Sequence, residues 1–180
     1  MAKYLKWIGG GLGWALGGPI GALIGFFVGS MFSQNDIQKA LPQGKGRPKT
    51  QGGDFSASLL VLSAAVMRAD HRVMRSELDY VKSFFIKQFG AESTKDKMQV
   101  LKKMLETHIP VNDVCEQIRD YMDYSSRLQL LHFLFGISNA DGEYHEKEVL
   151  LIEQIANYTG ITTSDYESIK NMFVKSREAF

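Results

Sequence analysis

Residues 59–81 read LLVLSAAVMRADHRVMRSELDYV, and residues 130–152 read LLHFLFGISNADGEYHEKEVLLI. The two stretches align without a gap at a shift of 71 residues, pairing Leu59 with Leu130, Leu60 with Leu131, Ala69 with Ala140, Asp70 with Asp141, Glu77 with Glu148, Leu78 with Val149 and Val81 with Ile152. Each copy is an apolar run with helical spacing, a turn opened by Ala-Asp, and a second helical run with Glu seven residues after the Asp. A self-similar pair of helical units cannot bury its apolar faces alone, so the two copies are expected to pack on one another.

Working outward, the rest of the body repeats the period. Phe55, Leu59, Leu62 and Val66 recur at three and four, followed by Leu78, Val81 and Phe85, by Met98, Leu101 and Leu105, and by Val111, Val114, Cys115, Ile118 and Met122. Further helices are expected at about 126–139, 145–158 and 163–176, the last opened by the capping residues of TTSDYESIK. The spacing predicts seven helices over residues 54–180: two pseudo-repeated halves of three, bridged by 110–124, with no competing strand pattern. Cys115 falls on an apolar helix face, which fits a buried structural thiol, and a lone cysteine excludes an internal disulfide.

The N-terminal stretch is of another kind. From Tyr4 to Phe32 the single charge is Lys6, among nine glycines, Pro19, two tryptophans and a run of aliphatic and aromatic residues. As one helix these 29 residues would measure roughly 43 Å against a hydrocarbon core of about 30 Å. A transmembrane anchor over 1–32 follows as an expectation, beside two alternatives: a helix lying in the interface, and a hairpin folding back at Gly17-Gly18-Pro19. A cleaved signal peptide fits less well, because SMFSQN is a poor cleavage site.

Glycine stands at 9, 13, 17, 21, 25 and 29. A period of four exceeds the helical 3.6, so the row Gly9, Gly13, Gly17, Gly21, Gly25, Gly29 winds slowly round the helix and lets a second backbone approach. Self-association of the anchor is expected from it.

Charge separates these parts. Residues 1–53 hold six Lys/Arg against Asp36, while the remainder carries 15 basic and 19 acidic residues. An acidic body without a basic stripe excludes nucleic acid as the main partner. Lys39, Lys45, Arg47 and Lys49 follow the apolar stretch closely, which orients the body toward the cytoplasm in a single-pass arrangement. Residues 33–53 lack apolar periodicity and read as a flexible basic linker, whose charges suit either solubility or anionic headgroups.

The repeated Asp-x6-Glu carries the chemistry worth weighing. With Met74 and His145 as N-caps, Glu77 and Glu148 occupy N3, where a carboxylate favours the helix dipole and can hold a backbone N–H. Neither N-cap is Ser or Thr, so the reciprocal box is incomplete and the carboxylates are available for something else. Across a pseudo-twofold, Asp70, Glu77, Asp141 and Glu148 can converge as oxygen donors for a divalent cation. The spacing is not that of an EF-hand, since Val81 or Ile152 stands at the twelfth position from each Asp. Turn-capping and cation binding both remain open on the sequence alone.

The doubled Ala-Asp-x6-Glu on an all-helical body resembles the TerB-like family of tellurite-resistance proteins. The span GGGLGWALGGPIGALIGFFVGSMF ahead of such a body is similar to the anchors of DjlA-type membrane co-chaperones. The second copy, NADGEYHEKE, carries the resemblance most closely; the first has His71 where the family places Gly, at the cost of the turn's easiest left-handed residue. The resemblance implies a compact seven-helix fold, attachment to the bacterial inner membrane, an acidic cluster for divalent metal, and links to envelope or chemical stress. The co-chaperones act on a DnaK-type chaperone through His-Pro-Asp, and none of His71, His108, His132 or His145 precedes a proline.

Two functions follow. One is a membrane-tethered interaction or sensing module that recruits a protein partner. The other is a metal-dependent enzyme using the same carboxylates with His71 or His145 as acid and base. No nucleophile-base-orienter set, phosphate-binding glycine loop or Cys/His spacing supports the enzyme, so a non-enzymatic module is expected.

Overall fold

The computed structural model describes residues 14, 17–27, 52–143 and 145–178. Among these residues there are eight helices and no strand: α1 (17–27), α2 (Gly52–Met67), α3 (Arg75–Phe89), α4 (Ala91–Met104), α5 (Val111–Tyr121), α6 (Tyr124–Ser138), α7 (Glu146–Tyr158) and α8 (Thr163–Glu178). The seven helices of the body fall where the periodicity puts them.

Local chemistry sets the boundaries. Gly90, at φ +83°, ends α3 and lets α4 start at the next residue. Asp123 accepts the Ser126 N–H at 2.9 Å, so α6 begins at Tyr124, two residues before its apolar period does. The C-terminus of α7 closes in a Schellman motif: Ile161 N–H donates to Ala156 O and Gly160 N–H to Asn157 O, with Gly160 at φ +72°. Thr162 and Asp165 then cap α8, Asp165 N–H donating to Thr162 Oγ1 at 3.2 Å.

The equivalent helices α2 and α6 pack on one another at the centre, and their surroundings repeat. Helix α3 packs on α6 as α7 packs on α2, and α4 on α2 as α8 on α6, with α5 against α2 and α7. The duplicated sequence is thus a duplicated arrangement of helices. Both central helices are covered on nearly every side: Leu59 to Met67 are all buried, as are Leu130, Leu131 and Phe133 to Ser138. A helix buried all round has little amphipathic contrast, so the three-four spacing marks only part of its buried residues. The Cys115 thiol lies fully buried, and that burial pushes it up to about 12, away from thiolate chemistry.

Among the described residues no helix is long and apolar enough to cross a membrane. Of the expected anchor, 17–27 forms α1 with Gly17, Gly21 and Gly25 on it, while Gly9, Gly13 and Gly29 lie outside the described residues, as does the expected linker up to residue 51. Helix α1 lies on the body, with Ile20 and Phe27 buried in the common core and Leu23 and Ile24 packed against it.

Candidate functional site

The two Ala-Asp turns are equivalent atom by atom. In the first, Ala69 N–H donates to Val66 O, His71 N–H to Arg68 O, and Arg72 N–H to Asp70 Oδ1 at 2.8 Å. In the second, Ala140 N–H donates to Ile137 O, Gly142 N–H to Asn139 O, and Glu143 N–H to Asp141 Oδ1 at 2.9 Å. The residue after each Asp is left-handed, His71 at φ +67° and Gly142 at +79°. His71 therefore adopts the conformation that glycine takes more cheaply, and its presence does not break the symmetry of the turns.

Beyond the turns the copies diverge. Met74 and His145 are the N-caps, and neither side chain caps its own helix. Glu77 reaches back and accepts the Met74 N–H on Oε2 at 2.6 Å, forming the acidic half of a capping box and leaving Oε1 without a partner. Glu148 makes no such bond. It is 1% exposed, and both its carboxylate oxygens lack a hydrogen-bond partner among the described residues.

His145 lies between the copies. Its Nε2 is 2.8 Å from Asp141 Oδ2 and its Nδ1 is 3.8 Å from Asp70 Oδ2. One ligating atom each of Asp70, His145 and Glu148 fall within 4.8 Å of one another, and the same holds for Asp141, Glu143 and His145. Of the four carboxylates anticipated as ligands, Asp70 and Glu148 meet at His145, Asp141 joins through its bond to His145, and Glu77 belongs to neither group of potential ligands. His71 is exposed. The imidazole is the addition that reading for oxygen donors overlooks; its signal is a histidine four residues after Asp141, at the start of a helix.

Electrostatics mark the cluster as a place for positive charge. Burial pushes the Glu77 carboxyl up to about 7, with the Met74 N–H opposing and Glu148, Asp70 and Asp141 adding to the rise. Burial likewise raises Glu148; the Ser138 hydroxyl facing it and His145 oppose the rise, and Asp70 and Asp141 reinforce it. Asp141 is also penalised by burial, but the His145 hydrogen bond and the Glu143 N–H outweigh this and hold it below the usual carboxylate range. The bond to Asp141 raises His145.

A pair of buried carboxylates beside two aspartates either holds protons or takes a cation. The donor set fits a metal: two carboxylates and an imidazole in one group, with Asp141 oriented on the outer nitrogen as carboxylates orient metal-bound histidines. The acid and histidine side chains are thus arranged in groups that can hold a metal ion.

Comparison with known families agrees with the helical body. Residues 56–171 match the family described as tellurite resistance protein TerB. The chain belongs to the TerB family. Residues 1–47 match the co-chaperone DjlA transmembrane domain, a likeness that implies a membrane anchor at the N-terminus. No curated protein and no solved structure matches the chain.

Proposed function

We propose that this chain is a membrane-anchored TerB module that binds one divalent cation between the two copies of its repeat and recruits a protein partner to the cytoplasmic face of a bacterial inner membrane under envelope or chemical stress. The observation that carries the cation reading is Glu148, buried beside Asp70 and His145 with no cationic or backbone N–H partner on its carboxylate and only the Ser138 hydroxyl facing it. A bound cation would remove the cost of that burial. Two oxygens and one imidazole nitrogen favour a first-row ion such as Mn²⁺ or Zn²⁺ over Ca²⁺ or Mg²⁺, which prefer all-oxygen shells. The cytoplasmic orientation rests on Lys39, Lys45, Arg47 and Lys49, and the stress role on the TerB and DjlA matches.

Thermal melts of the full chain with each of these four ions, against a chelator control, test the site. At a concentration 100 times Kd the ion should stabilise by about 2.7 kcal/mol. Asp70→Asn and Glu148→Gln should each remove most of that shift while leaving a cooperative metal-free transition. No shift in the parent with any of the four ions removes the cation and leaves a recruitment module alone.

The glycine row is the proposed basis of self-association in the bilayer. Replacing Gly17, Gly21 and Gly25 by Leu should lower dimerisation in a membrane two-hybrid assay without loss of insertion; an unchanged signal argues against it.

A further inference from the structure

Helix α1 starts with an irregularity that the glycine row does not explain. Gly18 falls outside the every-fourth-residue spacing, and it is left-handed at φ +61°. Beside it, the Gln117 side chain of α5 makes two hydrogen bonds across about a hundred residues of sequence. Its Nε2 donates to Gly17 O at 2.6 Å, and its Oε1 accepts the Ile20 N–H at 3.0 Å. Pro19 has no N–H to offer, so Ile20 supplies an amide of the first turn that needs an outside acceptor. Gln117 thus caps a helix on another part of the chain. A Cβ at position 18 would lie 3.0 Å from Gln117 Oε1, so both the backbone conformation and the close approach require glycine there.

Side-chain burial agrees with this polar match. Ile20 and Phe27 are 7% and 4% exposed, within the same core as the helices of the body. Surfaces covered in this way cannot face lipid at the same time. Among the described residues the docked helix is not long and apolar enough to cross a membrane.

The geometry points to a docking seat on the body for residues 17–27: a membrane-withdrawn form of the chain in which Gln117 caps α1 and the core shelters Ile20 and Phe27, with the lipid bilayer competing for the same segment. Gly18 serves this docked form, whereas Gly17, whose added Cβ would meet nothing within 4 Å, is free to serve helix pairing in the membrane. The balance between seat and bilayer sets how much of the chain is membrane-bound. The inference does not depend on a cation.

Flotation of the full chain with phosphatidylcholine vesicles tests it. Gln117→Ala removes both hydrogen bonds, and Gly18→Ala closes the approach, so each should raise the ratio of vesicle-bound to free protein roughly tenfold. Gly17→Ala adds the same methyl group without touching Gln117 and should stay within twofold of the parent. Equal partitioning of the parent, Gln117→Ala and Gly18→Ala overturns the seat, as does a shift in Gly17→Ala as large as that in Gly18→Ala. Should Gln117→Ala lose its cooperative melt, Gly18→Ala, which alters no body residue, decides alone.

Discussion

In the first copy of the repeat the glutamate turns back on its own helix, Glu77 taking the Met74 N–H; in the second, Glu148 takes no backbone N–H and lies buried beside Asp70 and His145. The backbones around them do not differ in kind. Both turns close with the same three hydrogen bonds, and both set the residue after the Asp left-handed. What differs is the N-cap: Met74 presents no polar side chain, whereas His145 in the same place binds Asp141 and faces Asp70. Duplication has kept one glutamate as a fold device and left the other with unused ligating capacity. The same residue type at the same helix position therefore has no fixed role; its neighbours across the pseudo-twofold assign it.

The largest expected effect separates the two glutamates by pH. A folded-state carboxyl at about 7 against an ordinary 4.5 means that the folded protein holds a proton which the unfolded chain has released between those values. Stability must then fall as pH rises through that window, by on the order of 3 kcal/mol for Glu77 in metal-free buffer. Glu77→Gln, whose amide oxygen can still accept the Met74 N–H, should flatten that part of the parent's decline in urea titrations from pH 4.5 to 8. Glu148 is raised in the same direction, so Glu148→Gln should flatten the profile as well. Saturating Mn²⁺ or Zn²⁺ should then erase the contribution of Glu148, which the ion holds ionised, and spare that of Glu77. If the ion erases both, the ion acts on Glu77 as it does on Glu148 and the contrast between the copies fails.

The repeat itself was open to reading because it depends on residue type at fixed spacing: Ala-Asp, then Glu, between apolar runs. The seven helices of the body followed from the three-four apolar spacing that runs through it and beyond it. The depth of burial of α2 and α6 did not, since residues such as Val61, Ser63 and Ala65 carry no periodic signal when every face is covered. Pairings that depend on space rather than spacing were also hidden. Gly136 leaves room for Tyr80, whose ring and Oη would clash with a Cβ there, and Gln117 reaches Gly17 and Ile20 from a helix that shares no local pattern with them. His145 was visible as a titratable residue at a turn, but its position between Asp70 and Asp141 exists only after the two copies pack.

The smallest expected effect concerns the turns and asks how equivalent they are. His71 holds φ +67° with a side chain, while Gly142 holds +79° without one and has nothing within 4 Å of where a Cβ would stand. Substitution at either site therefore changes backbone strain with little change in packing. His71→Gly should stabilise the chain by about 0.5–1 kcal/mol, because relief of the left-handed strain exceeds the extra freedom glycine gives the unfolded chain. Gly142→Ala should destabilise it by a similar amount, about 1 kcal/mol, for the opposite reason. Urea midpoints at fixed pH measure both. His71 is exposed and takes no part in the Asp70, His145 and Glu148 group, so His71→Gly should leave any metal-induced shift intact. A loss of that shift would place His71 in the site and make the first turn a supplier of ligands, whereas destabilisation would mean that its imidazole makes a contact worth more than the strain it imposes.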